Sequence, residues 1–121
     1  MTTLEAARIK LNTIDKEMIE LFEKMMLSKH QKSNDLTTLE MLIAQLKQKR
    51  LMIIKDVAIY KQSVGLPIYD PQREQELIKR NCELLKDKSY ISDYLIFIHE
   101  ILDESKAYQK QVITSLCHDE R

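Results

Sequence analysis

The sequence predicts an all-α protein whose four helices form an antiparallel bundle in a single domain, residues 1–121. Apolar residues recur at steps of three and four over long segments, which is the period of an amphipathic helix. The 121 residues include one Gly and two Pro, too few for the tight turns of a β-rich fold. The segments between the periodic stretches are short, and short connections join antiparallel neighbours in a bundle.

The first predicted helix starts near the N-terminus, where Thr2 and Glu5 have the spacing of a capping box. Its apolar stripe consists of Leu4, Ala7, Leu11, Ile14, Met18, Leu21 and Met25. The stripe fades at Ser28, and the polar residues 29–35 predict a turn between two helices.

The second predicted helix follows this turn, and Thr37 with Glu40 repeats the capping-box spacing. Its stripe consists of Leu39, Ile43, Leu46, Arg50, Ile53, Val57 and Tyr60. Gly65 is typical of the residue that caps the C-terminus of a helix, so we expect the second helix to end there.

The third predicted helix starts at Asp70, which can cap it, with Pro71 at the first helical position. Its apolar face consists of Leu77, Ile78, Leu84 and Leu85. After a connection over residues 86–92, the last helix carries a stripe of Ile91, Leu95, Ile98, Leu102, Ser105, Gln109 and Val112. Residues 114–121 lack such a pattern and are predicted to be disordered.

The composition disfavours several classes of function. Nineteen Lys and Arg balance nineteen Asp and Glu, which argues against a nucleic-acid or membrane partner. No apolar run approaches the ~20 residues of a membrane span, and the N-terminal segment lacks the apolar block of a secretory signal. Cys82 and Cys117 are isolated thiols without disulfide or metal spacing, which favours a cytoplasmic location. His30, His99 and His118 do not cluster, so no metal is predicted.

Polar residues interrupt the stripes at positions that a plain bundle would fill with Leu or Ile. They are Arg8 at the border of the first stripe, Arg50 and Lys61 eleven residues apart on the second helix, and Ser105 and Gln109 on the last. Any single one is compatible with a side chain that reaches from the core edge to water. Several buried cations are costly unless they are paired, and Asp70 and Glu74 are too few to neutralise them all. The pattern therefore indicates a pocket for a small dicarboxylate.

These residues together resemble the all-helical class of chorismate mutase. The resemblance is carried by Arg8 with Asp15, by Arg50 with Lys61, by the segment GLPIYDPQRE with its Asp70, Arg73 and Glu74, and by Ser105 with Gln109. It covers most of the chain apart from about 25 residues and the tail. It implies an enzyme that converts chorismate to prephenate, in the biosynthesis of phenylalanine and tyrosine.

The resemblance implies catalytic roles for four side chains. Arg8, Arg50 and Lys61 would hold the two carboxylates and the ether oxygen of chorismate, and Gln109 would share the ether oxygen with Lys61. The reaction is a unimolecular Claisen rearrangement that needs no nucleophile, metal or cofactor. The enzyme would select a compact conformer and stabilise the negative charge that develops on the ether oxygen.

Four further residues would bind the substrate. Asp70, partly through its backbone, and Glu74 would engage the ring hydroxyl. Ser105 would lie near a carboxylate, and Arg73 would add positive potential. The bend in GLPIYDPQRE would place Asp70, Arg73 and Glu74 over the mouth of the pocket.

One departure from the family pattern concerns the long first helix, which normally runs without a break. Arg8 and Arg50 lie further apart than its two arginines would, which indicates an inserted helix-turn segment over about residues 26–50. The segment resembles a partial duplication of the helix. A fold-back that brings Arg8 to Arg50 and Lys61 would be centred near residue 32.

The split helix leaves two quaternary structures open. The family is normally a dimer in which each long helix lends an arginine to the other site. With a turn in that helix, one chain can supply both arms as a monomer, which we favour, or exchange them in a domain-swapped dimer. Such a topology can be engineered or natural, and the inserted turn could also loosen the fold into a partly molten state. The alternative functions are a non-catalytic helical interaction module and the related isochorismate–pyruvate lyase.

Overall fold

The computed structural model describes residues 2–31 and 35–119, and this part of the chain is an all-α bundle. Its helices are α1 (Thr3–Gln31), α2 (Leu36–Val64), α3 (Pro71–Leu84) and α4 (Ile91–Asp119), with a short 3-10 turn at Lys88–Tyr90 before α4. Helix α1 folds back on α2, and α4 packs against both α2 and α3. The predicted all-α fold is confirmed.

The ends of α1 and α2 differ in part from the predicted ones. The capping box at the start of α1 forms as expected, since Glu5 N donates to Thr2 Oγ1 over 3.1 Å and Thr2 N donates to the Glu5 carboxylate over 3.0 Å. Helix α1 continues to Gln31, so the turn is shorter than residues 29–35. Helix α2 begins at Leu36 and not after Thr37. Asp35 precedes it, and the Asp35 carbonyl accepts from Leu39 N over 3.0 Å. Residues 32–34 of the predicted turn lie outside the described residues.

The connection between α2 and α3 has the predicted chemistry at both ends. Gly65 caps α2 in the left-handed conformation with φ of +74°, which glycine adopts at little cost. Asp70 caps α3, because its Oδ1 accepts from Arg73 N over 3.1 Å, and Pro71 occupies the first helical position. This short connection therefore leaves α2 and enters α3 in a defined geometry.

Helix α4 extends beyond the predicted last turn. Residues 114–119 continue the helix, although the sequence predicts disorder from residue 114. Leu116 is half-buried and the hydroxyl of Thr114 donates to the Lys110 carbonyl over 2.9 Å, so both the packing and the hydrogen bonding of the helix continue past Ile113. Residues 120 and 121 of the predicted tail lie outside the described residues.

The main core lies between α1, α3 and α4. It consists of Ile19, Phe22, Leu77, Leu85, Tyr94, Ile98 and Leu102, and a second cluster of Met18, Leu46 and Ile101 joins it to α2. Three stripe positions differ from the prediction: Ile54 is buried in place of Ile53, Tyr94 is buried in place of Leu95, and Leu84 is 40% exposed because α3 ends there and Leu85 turns inward. In the described part of the chain, no helix is long and apolar enough to cross a membrane.

Candidate active site

One pocket is lined by side chains from all four helices and from the α2–α3 connection. The structure brings all eight predicted site residues to its wall: Arg8, Arg50, Lys61, Asp70, Arg73, Glu74, Ser105 and Gln109. Apolar side chains fill the spaces between them, among them Leu11, Ile54 and Val57. A small molecule with polar groups on an apolar ring would suit such a wall.

Arg50 is the most deeply buried cation of the pocket, with 3% of its surface exposed. Its Nε donates to Asp15 Oδ1 over 3.0 Å, and Asp15 is itself buried at 2% exposure. Its Nη1 donates to Ser105 Oγ over 2.8 Å, and that hydroxyl donates onward to the Ile101 carbonyl over 2.8 Å. Contacts from α1 and α4 thus fix the guanidinium of an α2 residue at the pocket wall.

Lys61 lies at the end of the pocket that borders the α2–α3 connection. Its Nζ donates to the Ile68 carbonyl over 3.2 Å, while its own carbonyl accepts from Leu66 N over 2.9 Å. Burial lowers the pKa of Lys61 below the ordinary lysine value, and the positive charges of Arg8 and Arg73 lower it further. Because the charged form of Lys61 is disfavoured in this way, a nearby anion or partial negative charge would stabilise it.

Three of the pocket cations have no carboxylate partner. Within residues 2–31 and 35–119, no Asp or Glu lies within ion-pair distance of Arg8, Lys61 or Arg73. Burial lowers the pKa of Arg73 as well, and Arg8 contributes to that shift. These three side chains come from α1, α2 and α3, so the fold itself concentrates uncompensated positive charge at one place.

The two carboxylates of the pocket wall already have partners in the protein. Asp70 caps α3 through its Oδ1, and Glu74 pairs with Lys106 over 3.1 Å. Five cationic side chains and two carboxylates line the pocket, and two further carboxylates lie behind them, Asp15 at Arg50 and Asp103 at Lys106. An excess of positive charge therefore remains in the pocket, which an anionic ligand would reduce.

Two amide side chains complete the polar wall. Gln109 is 5% exposed and its Oε1 has no hydrogen-bond partner among the described residues, and the same holds for the buried Oδ1 of Asn12. An unsatisfied buried amide oxygen costs free energy that a bound ligand can recover. Both oxygens accept hydrogen bonds, so a hydroxyl group of a ligand could satisfy them, whereas a carboxylate or ether oxygen could only accept from the amide N–H groups.

Four groups that contribute to this site have no role in the sequence-based prediction. Asp15 belongs to the motif of the resemblance but was given no function, and Asn12, Lys106 and the Ile68 carbonyl were not considered. Asn12 follows Arg8 by one helical turn and Lys106 adjoins Ser105, so helical spacing could have indicated both. Nothing in the sequence singles out the Ile68 carbonyl, because its role follows from the path of the connection.

No metal site accompanies the pocket in the described part of the chain, where no group of three or more His, Cys, Asp or Glu could hold an ion. The side chain of His118 lies outside the described residues.

The described residues define a small all-helical protein with a cationic pocket between its helices. The profile of the family described as chorismate mutase type II matches residues 34–110. A curated protein named chorismate mutase from Methanocaldococcus jannaschii is 39% identical over 72 residues, which span 59% of this chain and 73% of that protein. The comparison with solved structures returned no significant match. The chain belongs to the type II chorismate mutase family.

The matched region begins in the turn before α2 and ends one residue after Gln109. It includes seven of the eight predicted site residues, and Arg8 on α1 lies outside it. Helix α1 thus lies outside the region that the family profile matches, whereas most of the segment predicted as an insertion, residues 26–50, lies inside it. The contribution of α1 to the pocket is known from the structure alone.

Proposed function

We propose that this protein catalyses the rearrangement of chorismate to prephenate in the pocket described above. The observation that carries the proposal is the unpaired positive charge of Arg8, Lys61 and Arg73 beside the fixed guanidinium of Arg50. Chorismate carries two carboxylates, which would be attracted to these cations. The membership of the chain in the family supplies the reaction.

Each pocket wall suits one part of the substrate. Arg8 and Arg50 hold the carboxylates and so select the compact conformer, with Ser105 beside Arg50. Lys61 and Gln109 donate to the ether oxygen as negative charge develops there. One preorganised donor of this kind contributes roughly 3–4 kcal/mol, and the lower enzymatic accelerations require about 8 kcal/mol. Two donors and a selected conformer are therefore sufficient, and no proton transfer is needed.

The far end of the pocket suits the ring hydroxyl. Asp70 and Glu74 lie at the start of α3, where backbone N–H groups and carboxylates are available together. Arg73, from the same turn, adds positive potential without a carboxylate of its own among the described residues. This arrangement supports a substrate that carries a hydroxyl group as well as anionic groups.

We also propose that the protein is a monomer. Helices α1 and α2 pack on each other within one chain, and this packing brings Arg8 and Arg50 to the same pocket. A second chain is then not required to complete the site. A cytoplasmic location is proposed as well, in line with Cys82 and Cys117 as free thiols.

The test is turnover of chorismate by the purified protein, with the product identified by NMR because prephenate is an isomer of the substrate. Lys61→Met should lower kcat by about 10²–10³, as the loss of one preorganised donor does. Lys55→Met is the matched control, since Lys55 is an exposed lysine on the same helix. Circular dichroism establishes that both variants fold. Absence of turnover by the unaltered protein, or equal rates for both variants, would contradict the proposal.

A further inference from the structure

Lys106 lines the pocket but takes no part in the proposed reaction. Its Nζ lies 3.1 Å from Glu74 Oε1 and 3.5 Å from Asp103 Oδ1, and 4.5 Å from the centre of the Tyr69 ring. It thereby connects α4 to the first turn of α3 and to the α2–α3 connection. Lys106 and Glu74 are 24% and 22% exposed, so water screens their attraction less than it would at the surface.

The contacts of Lys106 hold it in the charged form. Burial alone would lower its pKa, but the hydrogen bond and the negative charge of Glu74, together with Asp103, raise the pKa above the ordinary lysine value. The Tyr69 ring adds a cation–π contact on another side of the ammonium. Lys106 is therefore a permanent cation with a defined position.

Lys61 is the cation toward which Glu74 could turn if Lys106 were absent. Both side chains line the same pocket, and the negative charge of Glu74 already raises the pKa of Lys61 against the stronger lowering effects. A Glu74 carboxylate released from α4 would move toward Lys61 and compensate positive charge that the substrate carboxylates need.

We propose that Lys106 is a positioning residue that holds the Glu74 carboxylate on the α4 side of the pocket, away from Lys61, and so keeps the cationic wall free for the substrate. This role rests on the function proposed above. The charged groups around Lys61 are Arg8 on α1, Arg50 on α2, Asp70 on the connection, Arg73 and Glu74 on α3, and Lys106 on α4. Among these groups, Lys106 is the one that forms an ion pair with Glu74.

The test compares Lys106→Met, which keeps the apolar stem, with Lys106→Arg, which keeps the charge. Lys110→Met is the matched control, because Lys110 is an exposed lysine one helical turn further along α4. We expect Lys106→Met to raise KM for chorismate about tenfold with a much smaller change in kcat. The displaced Glu74 carboxylate would weaken the binding of the substrate and of the transition state equally. Lys106→Arg should restore KM, and Lys110→Met should leave both constants unchanged.

The Glu74→Gln background separates positioning from direct contact. If Lys106 acts through Glu74, Lys106→Met changes KM little in this background. An equal rise in KM with and without the Glu74 carboxylate would overturn the proposal and show that Lys106 contacts the substrate itself. Behaviour identical to Lys110→Met would also overturn it.

A second measurement works without turnover, so it distinguishes failure of this role from failure of the proposed function. NMR titration of the lysine side chains should show a higher pKa for Lys61 in Lys106→Met than in the unaltered protein, because Glu74 then moves toward Lys61. The rise should be smaller in the Glu74→Gln background. An unchanged Lys61 pKa would overturn the proposed role of Lys106.

Discussion

At the scale of single residues, the site combines two cations that pair with carboxylates, Arg50 and Lys106, with three that have no such partner among the described residues. Arg50 was visible in the sequence because a cation stands in an apolar stripe, and its burial follows from that position. Its partner Asp15 is 35 residues away, so only the fold-back of α1 on α2 reveals the pair. Removing one partner of such a buried pair typically costs about 3–5 kcal/mol, which makes Arg50 a poor probe of catalysis alone.

Lys61 should set an alkaline limit on activity. Because burial and the neighbouring arginines lower its pKa, we expect kcat/KM to fall at a pH below the ordinary lysine value of 10.5 as the ammonium loses its proton. The measurement is a pH profile of kcat/KM beside an NMR titration of Lys61 in the free protein. The two apparent pKa values should agree, because kcat/KM reports the free enzyme.

The same pKa shift has a consequence for stability, with the opposite sign to that of a paired lysine. The folded state binds the Lys61 proton less tightly than the unfolded chain does, so this residue opposes folding below its folded-state pKa. Its contribution becomes less unfavourable as the pH rises from the folded toward the unfolded value. An activity limit in the range of unshifted lysine, and no difference between the titrations of Lys61 and surface lysines, would contradict this picture.

At the scale of elements, the α2–α3 connection carries both structural and functional groups in few residues. Its two ends could be predicted because Gly65, Asp70 and Pro71 act locally, through backbone conformation and capping. The start of α2 and the end of α4 could not, since their limits depend on packing against other helices. The Lys106–Glu74 contact was likewise beyond prediction, because it requires the packing of α3 against α4.

The two roles of Asp70 can be separated by substitution. Asp70→Asn should leave the thermal stability nearly unchanged, because Asn caps helices as well as Asp, whereas Asp70→Ala should lose about 1 kcal/mol. Both should lower kcat/KM, since both remove the carboxylate beside the ring hydroxyl. Thermal unfolding and steady-state kinetics on the two variants measure these effects. Equal stability of Asp70→Ala and the unaltered protein would show that the cap contributes nothing.

At the scale of the whole molecule, the α1–α2 hairpin determines how the site is assembled. The sequence allowed either a monomer or a domain-swapped dimer, since the turn between these helices has neither Gly nor Pro to dictate its path. In the structure both arms of the hairpin come from one chain. The same molecule then supplies Arg8 and the pocket residues that the family profile matches.

The proposed monomer has a direct test in solution. Light scattering on the purified protein should give a mass near 14.3 kDa over a wide range of concentrations. The hairpin contacts within the chain are already made, so a second copy adds no missing site residue. A mass near twice that value, accompanied by full activity, would instead indicate that α1 is exchanged between two chains.

The hairpin also changes what dilution does to the enzyme. In an assembly of two chains, the arginine from the partner is lost when the subunits separate, so activity per chain declines at low concentration. In the monomer proposed above, the turn would keep Arg8 at a fixed effective concentration near Arg50, whatever the number of molecules in solution. A cell could therefore hold very few copies of this protein, and each copy would still carry a complete site.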